Sequence, residues 1–177
     1  ALAGVVVHGN SGQASIPPID RDEPRFAQAS RQMLESGDFV DVRYQDTARN
    51  LQPAGIYWLQ VAAVSAFGDA DARQIWPHRM PSWLSAIGVV FVTWWIGALL
   101  FGPLTGRFAA ALIASCVLLG VEAHIAKIDA TLCFAVLVAQ AALAKIYSVR
   151  DSEAPTTRWA ALFWVALGVG ILLKGPI

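Results

Sequence analysis

Asp20, Asp22 and Glu23 stand with Arg21 and Arg25 inside the seven positions from Asp20 to Phe26, in a chain of 177 residues that is 56% hydrophobic and only 15% charged. A carboxylate in such a knot can take a proton from an acceptor hydroxyl or hold that acceptor in place. It can also ligate a divalent cation. Arg25 adds a planar fork of N–H donors that suits a phosphate or a carboxylate. Further along, Glu122, His124, Lys127 and Asp129 crowd the stretch "EAHIAKIDA" between two apolar runs, and Lys174 ends another in "LLKGP". Ionisable groups at membrane depth are costly and are functional candidates by default. The plainer alternative is capping: Asp22 can start a helix at Pro24 and Asp129 one at Ala130, each worth about 1 kcal/mol. At this level both readings stand. Asp20, Arg21 and Arg31 read as solvated or headgroup charges.

The elements that must position these groups are mostly apolar. Soluble domains carry roughly 25% charged residues, so this chain reads as a membrane protein: all-α, a polytopic bundle of transmembrane helices. A net charge of zero and the lack of a basic stripe argue against a nucleic-acid partner. Ser82 to Phe101 is 20 uncharged residues, enough to span. "GPLTGR" then reads as a turn. Phe108 to Val121 must extend through "EAHIA" to cross a core of about 30 Å. Four spans are expected, at about 82–101, 107–126, 129–147 and 158–174. Arg107, Lys145, Arg150 and Arg158 fall in connections on one side, which basic residues assign to the cytoplasm. The 119–129 turn, Lys174 and segment 10–81 then lie on the opposite, periplasmic side.

Segment 10–81 carries two helices of its own. One begins near Pro24 and closes at Gly37, with Phe26, Ala29, Ser30, Met33 and Leu34 on one face. The other covers 54–67, where Tyr57 and Trp58 are of the type found at headgroup level. Both are expected to lie on the bilayer surface. Residues 1–9 read as the remnant of a first transmembrane helix, with a C-terminal remainder beyond Ile177. Cys116 and Cys133 sit in apolar runs as small hydrophobes, and the three histidines show no metal-ligand spacing.

With Asp22, Glu23 and Arg25, then "QPAGIYW", "EAHIAKIDATL" and "LLKGP" in this order, the chain resembles the membrane glycosyltransferases related to aminoarabinose and protein mannosyl transferases. These are glycosyltransferase family 39/83-like enzymes of GT-C architecture that use polyprenyl-phosphate sugars. The resemblance implies sugar transfer to a lipid or protein acceptor at the outer face of the inner membrane. It places the family's essential aspartate at Asp22, with Glu23 beside it and a second acid at Asp129. Arg25, Lys127 and Lys174 would hold the donor phosphate, and Tyr57 and Trp58 would line the path of the lipid carrier. Glu122, His124 and Gln52 form a second tier. A divalent cation is compatible with this chemistry, and no other cofactor is implied.

Two positions depart from the family pattern. Gln52 stands where members usually carry Lys, and His124 where many carry Arg; both changes remove a permanent cation. They feed a rival expectation, an inactive truncated remnant. A transporter or channel subunit is a second rival, but it would place acids within spans, whereas here they gather at span ends on one side.

Overall fold

The computed structural model describes residues 17–18, 20–49, 52–67, 74–150 and 156–175, so the expectation for residues 1–9 lies outside the described residues. In chain order the elements are α1 (Glu23–Ser36), β1 (Arg43–Tyr44), β2 (Thr47–Ala48), α2 (Gly55–Phe67), α3 (Trp76–Phe101), α4 (Pro103–Ala114), α5 (Val117–Ala123), α6 (Asp129–Ser148) and α7 (Thr157–Lys174). Helices α3, α6 and α7 are each long and apolar enough to cross a membrane. The pair α4 and α5 makes a fourth crossing if the two count as one span, bent by 62°.

Helix α3 starts at Trp76, six residues ahead of the expected Ser82. Pro77 occupies its first turn, where a missing N–H costs nothing, and this draws His78 and Arg79 into the helix as buried residues. The turn expected over "GPLTGR" shrinks to Gly102. Its φ of 94° reverses the chain, and Pro103 begins α4 at once. The single span expected at 107–126 is instead two helices. Ser115 turns its hydroxyl back to the Leu112 carbonyl at 2.9 Å, Cys116 goes extended, and the helix breaks there.

Close packing of α3 on α4 depends on Gly106. A Cβ there would stand 2.5 Å from the Trp94 carbonyl oxygen and 2.6 Å from the Ala98 nitrogen. Toward the same end of the bundle, Trp95 of α3 stacks on Trp159 of α7 with centroids 5.7 Å apart. Large apolar side chains remain exposed along α4, α5 and α7, among them Phe108, Leu112, Leu118, Trp164 and Val165. Both cysteines are free.

At the other end sits a compact apolar core. Phe26 and Met33 of α1 pack with Ile56, Tyr57 and Val61 of α2, Ile128 before α6 and Leu173 at the end of α7. Helices α1 and α2 are therefore docked on the bundle through a shared core. Gly37 ends α1, its N–H on the Met33 carbonyl at 3.1 Å. The β1–β2 hairpin, which the sequence did not announce, pairs Arg43 with Ala48 and Tyr44 with Thr47. Its turn residue Gln45 has φ 56° and is held by the side-chain amide of Gln32, which accepts the Gln45 N–H at 2.8 Å.

Tyr57 is part of this core. It is wholly buried, stacks on Phe26 at 5.6 Å, and its hydroxyl accepts the Arg49 Nε–H at 2.9 Å. That placement corrects the expectation of a headgroup or lipid contact for Tyr57. Trp58 alone of the pair faces outward, 41% exposed, with its indole N–H donated to the Phe39 carbonyl at 2.7 Å.

Candidate active site

Three stretches far apart in sequence bring their charges to the end of the bundle that carries the outer helices: residues 20–25, residues 122–129 and Lys174. The first is set by the start of α1. Asp22 occupies the cap position, but its backbone is already helical (φ −87°, ψ −25°) and its carboxylate makes no capping bond. The Arg25 Nη1–H donates to Asp22 Oδ1 at 3.1 Å instead, with the side chains 39% and 40% exposed. The Asp22 N–H donates to Asp20 Oδ1 at 2.8 Å, and the second oxygen of Asp20 receives Lys127 Nζ at 2.8 Å.

Asp20, read from sequence as a solvated charge, is therefore the bridge between the leading segment and the later turn. The Lys127 ammonium, together with the Asp22 N–H, holds the Asp20 carboxyl below its ordinary value of 3.8. The same bond to Asp20 raises Lys127 above 10.5.

Asp129 repeats the pattern. It is the first residue of α6, yet no side-chain cap forms. Its Oδ1 takes Lys174 Nζ at 2.8 Å, with both side chains more than 40% exposed (47% and 42%). Glu122 lies within electrostatic reach of Asp129, Lys127, Asp20 and Lys174. Its Oε2 is buried without a hydrogen-bond partner among the described residues. Acids and cations thus alternate around one rim. Two carboxylates at helix starts, each free of the capping task its position suggests, face that rim beside a cation.

Behind the rim the polar groups turn inward and bond to one another and to backbone. Glu23 is fully buried. Its Oε1 accepts Arg79 Nε–H at 2.7 Å and the Ala126 N–H at 3.0 Å, and its Oε2 accepts Arg79 Nη2–H at 3.2 Å. Glu23 was expected at the chemistry beside Asp22, but adjacent residues on a helix diverge by about 100°. One reaches the rim and the other the interior. Gln60 Nε2–H donates to the Ala126 carbonyl at 3.4 Å, and the Ser82 hydroxyl donates to the Lys127 carbonyl at 3.1 Å. The backbone of the 124–128 turn is therefore held from three elements. The Ser30 hydroxyl, 2.9 Å from the Phe26 carbonyl, also contacts Gln60 Oε1 at 3.0 Å and His78 Nδ1 at 3.1 Å.

Of the second tier, His124 donates its Nδ1–H to the Gly120 carbonyl at 2.7 Å, a bond within its own turn. Gln52 has its Oε1 buried without a partner among the described residues. Among the described residues, no group of three or more His, Cys, Asp or Glu side chains converges as a metal site.

Comparison with known proteins identifies the family. The family model for dolichyl-phosphate-mannose-protein mannosyltransferases, PMT, matches residues 19–177. The chain belongs to this family. The PMT match takes in all seven helices described above and begins just before Asp20. The chain is 29% identical over 160 residues to the undecaprenyl phosphate-alpha-4-amino-4-deoxy-L-arabinose arabinosyl transferase of Aeromonas salmonicida (strain A449), covering 88% of this chain and 28% of that protein. It is 30% identical over 155 residues to a second such transferase from Pseudomonas fluorescens (strain Pf-5), covering 87% and 26%.

Among solved structures, the crystal structure of ArnT from Cupriavidus metallidurans bound to undecaprenyl phosphate superposes with a TM-score of 0.88 at 26% identity, over 98% of this chain and 31% of that one. The apo form of the same protein also gives 0.88, at 25% identity. This chain therefore spans about a third or less of the length of these relatives. Its fold is that of the GT-C membrane transferases, a multi-pass membrane protein, with α1 and α2 packed on one end of the bundle.

Within this PMT-family chain, sequence reasoning missed Asp20, Arg79, Gln60 and Ser82. Arg79 left one signal: in "WPHRMP" it is a charge between two prolines at the mouth of an otherwise uncharged helix. Nothing in its neighbourhood marked Asp20 off from Arg21.

Proposed function

We propose that this chain contributes to a membrane glycosyltransferase that moves a sugar from a polyprenyl-phosphate donor to a lipid or protein acceptor. The observation that carries the proposal is Asp22: a carboxylate at a helix start that caps nothing, 40% exposed, beside a guanidinium and linked through Asp20 to Lys127. Asp22 takes or orients the proton of the acceptor hydroxyl. The acceptor oxygen bonds to the anomeric carbon as that carbon's bond to the phosphate oxygen breaks, and the polyprenyl phosphate leaves with the electron pair. Lys127, Lys174 and Arg25 stabilise the charge on that phosphate, and their weight grows where water is excluded. Asp129 keeps Lys174 directed at the rim, and Glu122 completes the acidic side of the pocket. Trp58 is the outward aromatic left for contact with the carrier or headgroups.

The rim lies at the end of the bundle opposite Arg107, Arg150 and Arg158, and basic residues favour the cytoplasm. This supports a periplasmic reaction at the inner membrane, with the 17–67 segment on that side. The test is Asp22→Asn in the full-length protein. Transfer from an undecaprenyl-phosphate sugar is expected to fall by about 100-fold or more, while membrane insertion and melting temperature hold. Turnover equal to the parent's would refute the assignment.

A further inference from the structure

We infer that Arg79 is a positioning residue for the transfer reaction, acting through Glu23 to hold the 124–128 turn in register with the start of α1. The inference rests on the function proposed above. Arg79 and Glu23 meet fork to fork, at 2.7 and 3.2 Å, with both side chains 0% exposed. Two charges taken so far from water lose much of what their attraction returns, and apolar side chains of like volume would serve stability as well. An apolar pair could not do what Glu23 Oε1 also does, which is accept the Ala126 N–H at 3.0 Å. Arg79 Nη2–H reaches the Pro17 carbonyl at 3.4 Å as well. One guanidinium thus ties the segment before α1, the first residue of α1 and, through one carboxylate, a turn more than a hundred residues later (|i−j| = 103).

The neighbours of the lock give it a role in chemistry. Glu23 directly follows Asp22, and Ala126 directly precedes Lys127. Because a bidentate Arg–carboxylate pair fixes the plane of both groups, the lock sets the offset between the carboxylate and the ammonium at the rim. Misplacement of reacting groups by about 1 Å can cost about 100-fold in rate. Arg79 is 0% exposed, and the link from it to the 124–128 turn runs through Glu23.

The experiment uses the full-length protein in nanodiscs, with Arg79→Met and Arg79→Lys. Kinetics on the folded fraction are paired with spin-label distances between positions 28 and 120, both exposed. Arg79→Met is expected to lower kcat about 100-fold with the donor KM within about threefold, because the groups remain but are displaced. Arg79→Lys, which keeps the charge and loses the fork, is expected to recover part of that loss. The 28–120 distance distribution is expected to broaden in both.

A purely structural role would reduce the yield of folded protein and leave kcat of the survivors near the parent's; that result overturns the inference. If Arg79→Met does not fold, Arg79→Lys decides, and parent-like kcat in it overturns the inference. A parent that transfers no sugar refutes the proposed function instead. The distances then judge the lock alone: broadening in Arg79→Lys upholds it, and an unchanged distribution sinks it.

Discussion

Asp20 and Lys127, separated by 107 residues, join at 2.8 Å, and the same Asp20 accepts the Asp22 N–H at 2.8 Å. One side chain thereby sets the candidate base against the turn that carries Lys127, the cation proposed to hold the donor phosphate. The pair has a defined pH window. Asp20 is held below 3.8, so its contribution is complete above that value and is lost as pH falls through its lower folded pKa. Lys127 is raised above 10.5, so its contribution is complete below that value and is lost as pH rises through its higher folded pKa. Between about pH 5 and pH 9 neither group titrates. The stability difference between parent and Asp20→Asn should therefore be flat there, at roughly 0.2–1 kcal/mol for a part-exposed pair, and should close on further acidification. Thermal melts across that range check it, and a slope near neutrality would contradict the pairing.

Lys174 and Asp129 form the other bridge of the rim, and both are too exposed to matter for folding. Lys174→Met should leave stability within about 0.5 kcal/mol and raise the KM for a polyprenyl-phosphate donor by about tenfold, as expected for a lost hydrogen bond to a charged group. Steady-state kinetics at two salt concentrations distinguish this from a folding defect. The donor KM of the parent should rise with salt more steeply than that of the variant.

Tyr57 separates a core role from a carrier-contact role. Removing its hydroxyl by Tyr57→Phe leaves the buried Arg49 Nε–H without its 2.9 Å acceptor. Stability should fall by about 1–3 kcal/mol, with the donor KM unchanged in the folded protein. A raised donor KM at full stability would return Tyr57 to the carrier path.

Two glycines make a matched pair. Gly106→Ala drives a methyl against backbone atoms of α3 at 2.5 and 2.6 Å. It should destabilise the bundle by about 1–3 kcal/mol through overpacking. Gly120→Ala, in α5 with nothing within 4 Å of its added Cβ, should be neutral or stabilising by up to about 1 kcal/mol. Chemical denaturation in a mild detergent reads both.

The main charges and spans were legible in the sequence because they depend on composition over long windows. Hydropathy located α3, α6 and α7, and the charges at 22, 127, 129 and 174 stood out against it. Features set by one or two residues were not legible. Cys116 resembles its helical neighbours, so nothing announced the break. The hairpin has no Asn-Gly signal, because Gln45 is held at its φ of 56° by a side chain on another element. Adjacent acids at 22 and 23 looked alike until the helix turned one outward and the other inward. Tyr57 and Trp58 divide in the same way, since an aromatic pair does not reveal which ring a core will claim.

The Glu23 contact with Ala126 also fixes an order of events during synthesis. Glu23 leaves the ribosome 103 residues before the amide it will hold, an interval of roughly 5–20 s at ordinary rates of elongation. Until α3 and the 124–128 turn have arrived, that carboxylate has neither Arg79 nor Ala126 and stays hydrated. The end of the bundle that carries the candidate site is thus completed late, after the last of its partners has been made.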